Sequence, residues 1–274
     1  MSNPLSKYFR QPSIFIKLPS GGNHYPAGAI DIPANQELPV LPMTAVDEIT
    51  YRTPDGLFNG SSTVSVIESC VPNIKDAWNM PAMDLDTVLI GIRIASYGHD
   101  MEVSTTCPAC GTEAEHRLDL RRVIDTMEKG DYSKPLQKGD LTIYFKPMTY
   151  RQINANNAIQ FEEQKLISML PDSGIEPEKK SQMISESFKK ITEMTIAALS
   201  QSIKIIQTPS AQVTDPDHIL EFLRNCDRAT FDSVRDTILS LKSKNEIRPL
   251  KLKCGNCSQE YDQNITLDMS NFFA

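Results

Sequence analysis

Long apolar runs are missing from this chain. No stretch reaches the roughly 18 consecutive apolar residues that span a bilayer, and the start, MSNPLSKYFRQPSIFIKLPS, lacks the continuous apolar core of a signal peptide. The protein is therefore expected to be made and kept in a reducing cytoplasm, without membrane insertion. Basic charge is short as well: 28 Lys and Arg stand against 35 Asp and Glu, a formal charge of -7. That balance lacks the electrostatic footprint that dominates nucleic-acid affinity and suits anionic membranes poorly. Other proteins are the expected partners. Histidine is scarce, with only His24, His99, His116 and His218. No HExxH, GxSxG, Walker loop or paired-carboxylate motif accompanies them. With no recognisable order of acid, base and nucleophile, no catalytic residue is assigned and the expectation is a non-enzyme.

The chemistry that is present lies in cysteine. Of six cysteines, Cys70 and Cys226 stand alone in apolar segments, Cys70 reading as a small buried residue. The other four form Cys107-Pro108-Ala109-Cys110 and Cys254-Gly255-Asn256-Cys257. A CxxC turn points both sulfurs to one side, half of a tetrahedral zinc site with ligands at about 2.3 Å, and two such knuckles close the shell. Polar residues and a short alternating strand follow each knuckle, His116 to Leu120 after the first and Asn264 to Asp268 after the second. Cys107, Cys110, Cys254 and Cys257 are therefore expected to hold one structural Zn2+ in a zinc ribbon, with no coordination position left for water. The rival reading is two separate thiol pairs, reduced or redox-active, because ribbon knuckles are usually much closer in sequence. A redox CxxC, however, opens a helix in a βαβ setting, and both motifs here lie between strand-like stretches. His116 is a further donor near the first knuckle, but four thiolates already suffice.

The expected fold class is α+β. Residues 1–120 read as an N-terminal strand-and-helix region carrying the first knuckle, 121–249 as a mainly helical insertion, and 250–274 as the second knuckle and tail completing the ribbon. Ser13 to Pro19 reads as a strand ending in the Gly21-Gly22-Asn23 turn, with Ala29-Ile30-Asp31-Ile32 as its expected partner. Thr53-Pro54-Asp55-Gly56 reads as a turn. Helices are expected at 62–71, at 84–97 and at 119–128, the second apolar nearly all round and ended by Gly98. Arg93 within it is expected to meet a buried acid or a loop carbonyl. Pro42-Met43-Thr44 and Pro147-Met148-Thr149 repeat one signal, a strand running into a Thr-capped helix, with Asp47 or Glu48 and then Gln152 able to complete the cap. Beyond the second signal the sequence predicts helices at 150–170, 178–207, 217–226 and 231–244, the last capped by Thr230. Phe272 and Phe273 either dock on the protein itself or anchor a neighbour.

In order along the chain, Ile16 to Gly22 with Tyr25, Leu41 to Glu48, Thr53 to Leu57, Ile67 to Pro72, Asp86 to Gly98, the two cysteine knuckles and Lys146 to Thr149 resemble a family of contractile-tailed phage proteins, the T4-type baseplate hub and hub-assembly proteins. The resemblance covers about the first 150 residues and the second knuckle. It implies a structural or assembly role in a phage tail baseplate, contacts with other tail and baseplate proteins within a symmetric assembly, and a place in the host cytoplasm during assembly or in the virion tail. It brings no catalytic residues. A zinc-ribbon nucleic-acid-binding or transcription-associated protein is the rival function, with Arg248, Lys251 and Lys253 as its sparse basic residues.

Overall fold

The computed structural model describes residues 3–52, 60–127, 129–170 and 174–264. The turn expected at 53–56, the strand at 265–268 and the phenylalanine pair at 272–273 lie outside the described residues. The chain divides into two compact units, residues 1–129 with 244–274 and residues 130–243. Both mix helix and sheet, and the fold is α+β.

The first unit is built on a helix that is apolar on almost every side. This is α3 (Ala82–Tyr97), preceded by α1 (Ala45–Tyr51) and α2 (Ser61–Cys70). Val88, Leu89, Ile90 and Ile92 of α3 are all at most 1% exposed, and each such burial contributes roughly 1.5–3 kcal/mol. Strands β1 (Ile14–Ile16) and β2 (Leu38–Val40) pair antiparallel, Phe15 opposite Pro39. They approach α3 at Gly91, where a Cβ would stand 3.0 Å from Ile16 Cγ2. The segment at 29–32 does not pair with β1 as expected. Ile30 bridges Ile74, and the Asp31 N–H donates to the Asn73 carbonyl. At Gly98 the backbone turns to φ +87, ending α3. Arg93 meets a loop carbonyl, donating to Gly98 O at 3.4 Å, and packs over the Tyr97 ring.

Thr44 caps α1 in a full capping box with Asp47. Arg10, unremarkable in the sequence, completes this corner by donating to Asp47 Oδ2 (2.9 Å), Pro42 O (2.7 Å) and Ser69 O (2.9 Å). Burial alone would raise the Asp47 pKa, but hydrogen bonds from Thr44 and Ser69 and the Arg10 charge hold it below the usual carboxylate range. Asp84, on the first turn of α3, is completely buried and accepts from Ser20 N (2.8 Å), Ser20 Oγ (2.6 Å) and Tyr25 Oη (3.0 Å). Here desolvation outweighs the three hydrogen bonds, and the pKa rises to about 6.

Past α3 come β3 (Asp100–Thr106) and β4 (Glu113–Asp119), then α4 (Leu120–Thr126), whose first N–H donates to His99 O. The C-terminal part of the chain adds a second hairpin to this unit, β9 (Leu250–Lys253) and β10 (Glu260–Gln263).

The second unit contains a four-stranded sheet where the sequence suggests one strand, at 141–146, followed by helices; that strand is present at Leu141–Phe145. Strands β5 (Leu136–Lys138), β6 (Leu141–Phe145), β7 (Ile203–Gln207) and β8 (Gln212–Val213) form an antiparallel sheet in that order. Four helices join it: α5 (Tyr150–Met169), α6 (Pro177–Gln201), α7 (Pro216–Asn225) and α8 (Arg228–Ser243). The helix expected to run to Gln207 stops at Gln201, and its last residues are instead β7, paired along β6. Ile203, Ile205 and Ile206 are β-branched and at least partly buried while Lys204 faces solvent, which favours a pleated strand. Ile143, Phe145, Ile203 and Ile206 of the sheet pack with Leu199, Ile219, Leu223, Val234 and Leu241 in one core. Thr149 caps α5 in a box with Gln152. The cap of α8 comes from Asp227 rather than Thr230: the Thr230 N–H and hydroxyl both donate to the Asp227 carboxylate.

Candidate metal centre

The two CxxC motifs occupy equivalent turns. In the first hairpin Thr106 pairs with Glu113, leaving 107–112 as the loop. In the second Lys253 pairs with Glu260, leaving 254–259. The backbone bonds match one for one. Cys107 N–H donates to Thr112 O and Cys254 N–H to Gln259 O, both at 2.9 Å; Gly111 N–H donates to Cys107 O at 2.9 Å and Ser258 N–H to Cys254 O at 3.0 Å. Both loops place the residue after the second cysteine at positive φ, Gly111 at +70 and Ser258 at +58. Glycine meets that demand freely; serine adopts it at a cost. The hairpins are linked below the turns by Thr105 Oγ1 and Tyr261 Oη, 2.9 Å apart.

Folding therefore brings Cys107, Cys110, Cys254 and Cys257 together, with all four sulfurs within 4.8 Å of one another. Among the described residues this is the one cluster of metal-donor side chains. Sulfur pairs across the two loops stand 3.7 Å apart (Cys107–Cys257) and 3.6 Å apart (Cys110–Cys254), and all four cysteines are free. A tetrahedron with arms of about 2.3 Å has edges of about 3.8 Å, so the spacing fits four-sulfur coordination of zinc. It is far too long for a disulfide, whose sulfurs lie about 2.05 Å apart.

Electrostatics points the same way. The Cys110 pKa falls to about 6, chiefly because the Thr112 hydroxyl and then its backbone N–H favour the thiolate. Backbone N–H groups of Cys257 and Asn256 lower Cys254. At Cys257 the Gln259 N–H also favours the thiolate, but the neighbouring sulfurs, Cys110 first, outweigh it and push the pKa up to about 12. Four thiols this close resist ionising together unless a cation neutralises them, and a coordinating ion deprotonates its thiols outright. Bound there, a divalent ion supplies a crosslink and no reaction centre, since the sulfurs fill a tetrahedral shell.

Cys107 and Cys254 are buried, while Cys110 and Cys257 are exposed. At the exposed side Asn256 Nδ2 donates to Thr112 Oγ1 at 3.1 Å, and Thr112 Oγ1 lies 3.2 Å from Cys110 Sγ. Sequence reasoning passed over Thr112 and Asn256; they stand at different positions of the two loops, Thr112 two residues after its second cysteine and Asn256 just before its own, so no repeat marked them. His116 sits on β4 opposite Val103, outside the sulfur group. No helix among the described residues is long and apolar enough to cross a membrane.

Two matched knuckles on paired hairpins define a four-thiol ribbon protein with a large insertion between its halves. The family model for T4 bacteriophage base plate protein matches residues 50–274, and the chain belongs to that family. It is thus a structural component of a phage baseplate, among whose partners are other tail proteins. No curated protein and no solved structure matches the chain.

Proposed function

We propose that this chain is a non-enzymatic hub-region component or assembly factor of a contractile-tail baseplate, with Cys107, Cys110, Cys254 and Cys257 binding one structural Zn2+. The four-sulfur cluster carries the metal reading: its spacing fits zinc, and ion and fold would form together. The family match over residues 50–274 supports the baseplate role, and the ordered motifs from Ile16 to Thr149 support the hub. The nucleic-acid reading finds less support, because Lys251 and Lys253 of β9 stand opposite Asp262 and Glu260 in register. That face carries no net basic stripe.

Two measurements test the proposal. Metal analysis of the purified chain is expected to give one zinc per molecule, and Cys254→Ser to abolish it. In infected cells, a tagged copy of the chain is expected to co-sediment with central baseplate intermediates. Wild-type protein free of metal would overturn the zinc assignment; a chain found only on peripheral baseplate parts would overturn the hub assignment.

A further inference from the structure

The exposed edge of the cysteine cluster carries an arrangement that coordination alone does not require. Asn256 belongs to the second knuckle, yet its amide donates across to Thr112 of the first, 3.1 Å away. Thr112 Oγ1 in turn lies 3.2 Å from Cys110 Sγ, and Asn256 Nδ2 itself lies 3.9 Å from the same sulfur. A hydroxyl can accept one hydrogen bond while donating another. In the structure the Cys110 thiol donates to Thr112 Oγ1; once metal binding has removed that proton, the hydroxyl turns to donate to sulfur, and the bonds then run from the Asn256 amide to the Thr112 oxygen and from the Thr112 hydroxyl to sulfur. Each bond polarises the next, and a charged acceptor strengthens both. Cys107 and Cys254 are shielded by burial, so ligand exchange must begin at Cys110 or Cys257.

We propose that Thr112 and Asn256 form a latch on the exposed edge, positioning residues that hold Cys110 on the metal and set how fast the ion leaves. This rests on the zinc reading of the cluster. The second knuckle thus supplies two ligands of its own and also clamps a ligand of the first. A latch of this kind slows release without changing the ligand set, since outer-shell partners tune affinity by about 10–100-fold.

The test uses the full chain loaded with Co2+, whose thiolate charge-transfer absorption reports coordination, followed after addition of excess EDTA. Asn256→Ala and Thr112→Val are each expected to release cobalt about tenfold faster than wild type, from an unchanged starting spectrum. Thr112→Ser, which keeps the hydroxyl, is expected to release it at the wild-type rate. The double variant should fall short of the product of the two single effects, because both residues bear on the one sulfur of Cys110 and share the bond between them. Alkylation mapped during release should reach Cys110 before Cys107 and Cys254. Wild-type rates in both single variants, effects that multiply in the double, or labelling that starts at a buried cysteine would each overturn the latch. If Thr112→Val fails to fold, Asn256→Ala on its exposed loop decides the matter alone. Wild-type protein that takes up no cobalt would overturn the metal reading itself, a result distinct from a loaded protein with no latch.

Discussion

The ribbon of the first unit and the sheet of the second are both antiparallel, yet different forces hold them. In β6 and β7 the residues Ile143, Phe145, Ile203 and Ile206 are buried in a core shared with α7, α8 and Leu199 of α6. In β9 and β10 no residue is buried, and in β3 and β4 only Thr105 and Leu118 are. A two-stranded hairpin with so little core is marginal in water. The ribbon therefore depends on its cysteines, whereas the sheet depends on its apolar side chains.

Metal removal is the sharpest way to break this contrast. On the proposed zinc reading, chelation is expected to withdraw binding free energy on the order of 10 kcal/mol. It is expected to abolish amide protection in β3, β4, β9 and β10 while β6 and β7 stay protected. Hydrogen exchange that collapses in both regions, or in neither, would erase the distinction. The converse lesion is Phe145→Ala, which empties a fully buried site in the second unit and should cost about 3–5 kcal/mol in urea denaturation, leaving zinc content unchanged.

A smaller effect separates Asp84 from Asp47. Its folded pKa, about 6, lies above the ordinary 3.8. Its contribution is therefore complete below 3.8 and fades as the pH rises through 6, opposite in sign to that of Asp47, whose pKa is lowered. Asp84→Asn should remove a stabilisation on the order of 2 kcal/mol that wild type gains between pH 7 and pH 4. Denaturation curves for both proteins at those two pH values check it; equal pH dependence would rule it out. The smallest change should come from Ser258→Gly, which relieves a positive φ in the second knuckle and matches it to Gly111 in the first. A gain of about 0.5–1 kcal/mol in ribbon stability is expected, and a loss would mean the two loops are not equivalent.

What the sequence revealed was what is local. Each capping box spans four consecutive residues, so Thr44 with Asp47 and Thr149 with Gln152 were legible directly. The four cysteines were legible because coordination demands that residue type at that spacing. Strand β7 was hidden because Ile203 and Ile206 continue the apolar repeat of Ile191 to Leu199, and no glycine or proline marks the break at Ser202. Strand β2 was hidden by Pro39 within a three-residue strand. The Arg10 corner, the burial of Asp84 by Ser20 and Tyr25, and the reach of Asn256 to Thr112 join residues distant in sequence, and only the folded chain brings them together.

The distance between the knuckles also bears on synthesis. The first pair of sulfurs leaves the ribosome long before the second, and at about 5–20 residues per second the intervening segment takes roughly 7–29 s to appear. By the end of that interval the second unit has its whole sequence, while the ribbon still has only half its ligands. A chain truncated anywhere before Cys257 cannot complete the cluster. The four-sulfur site can thus close only once both halves of the ribbon have been made, so that uptake of the proposed ion would record that translation has passed through both.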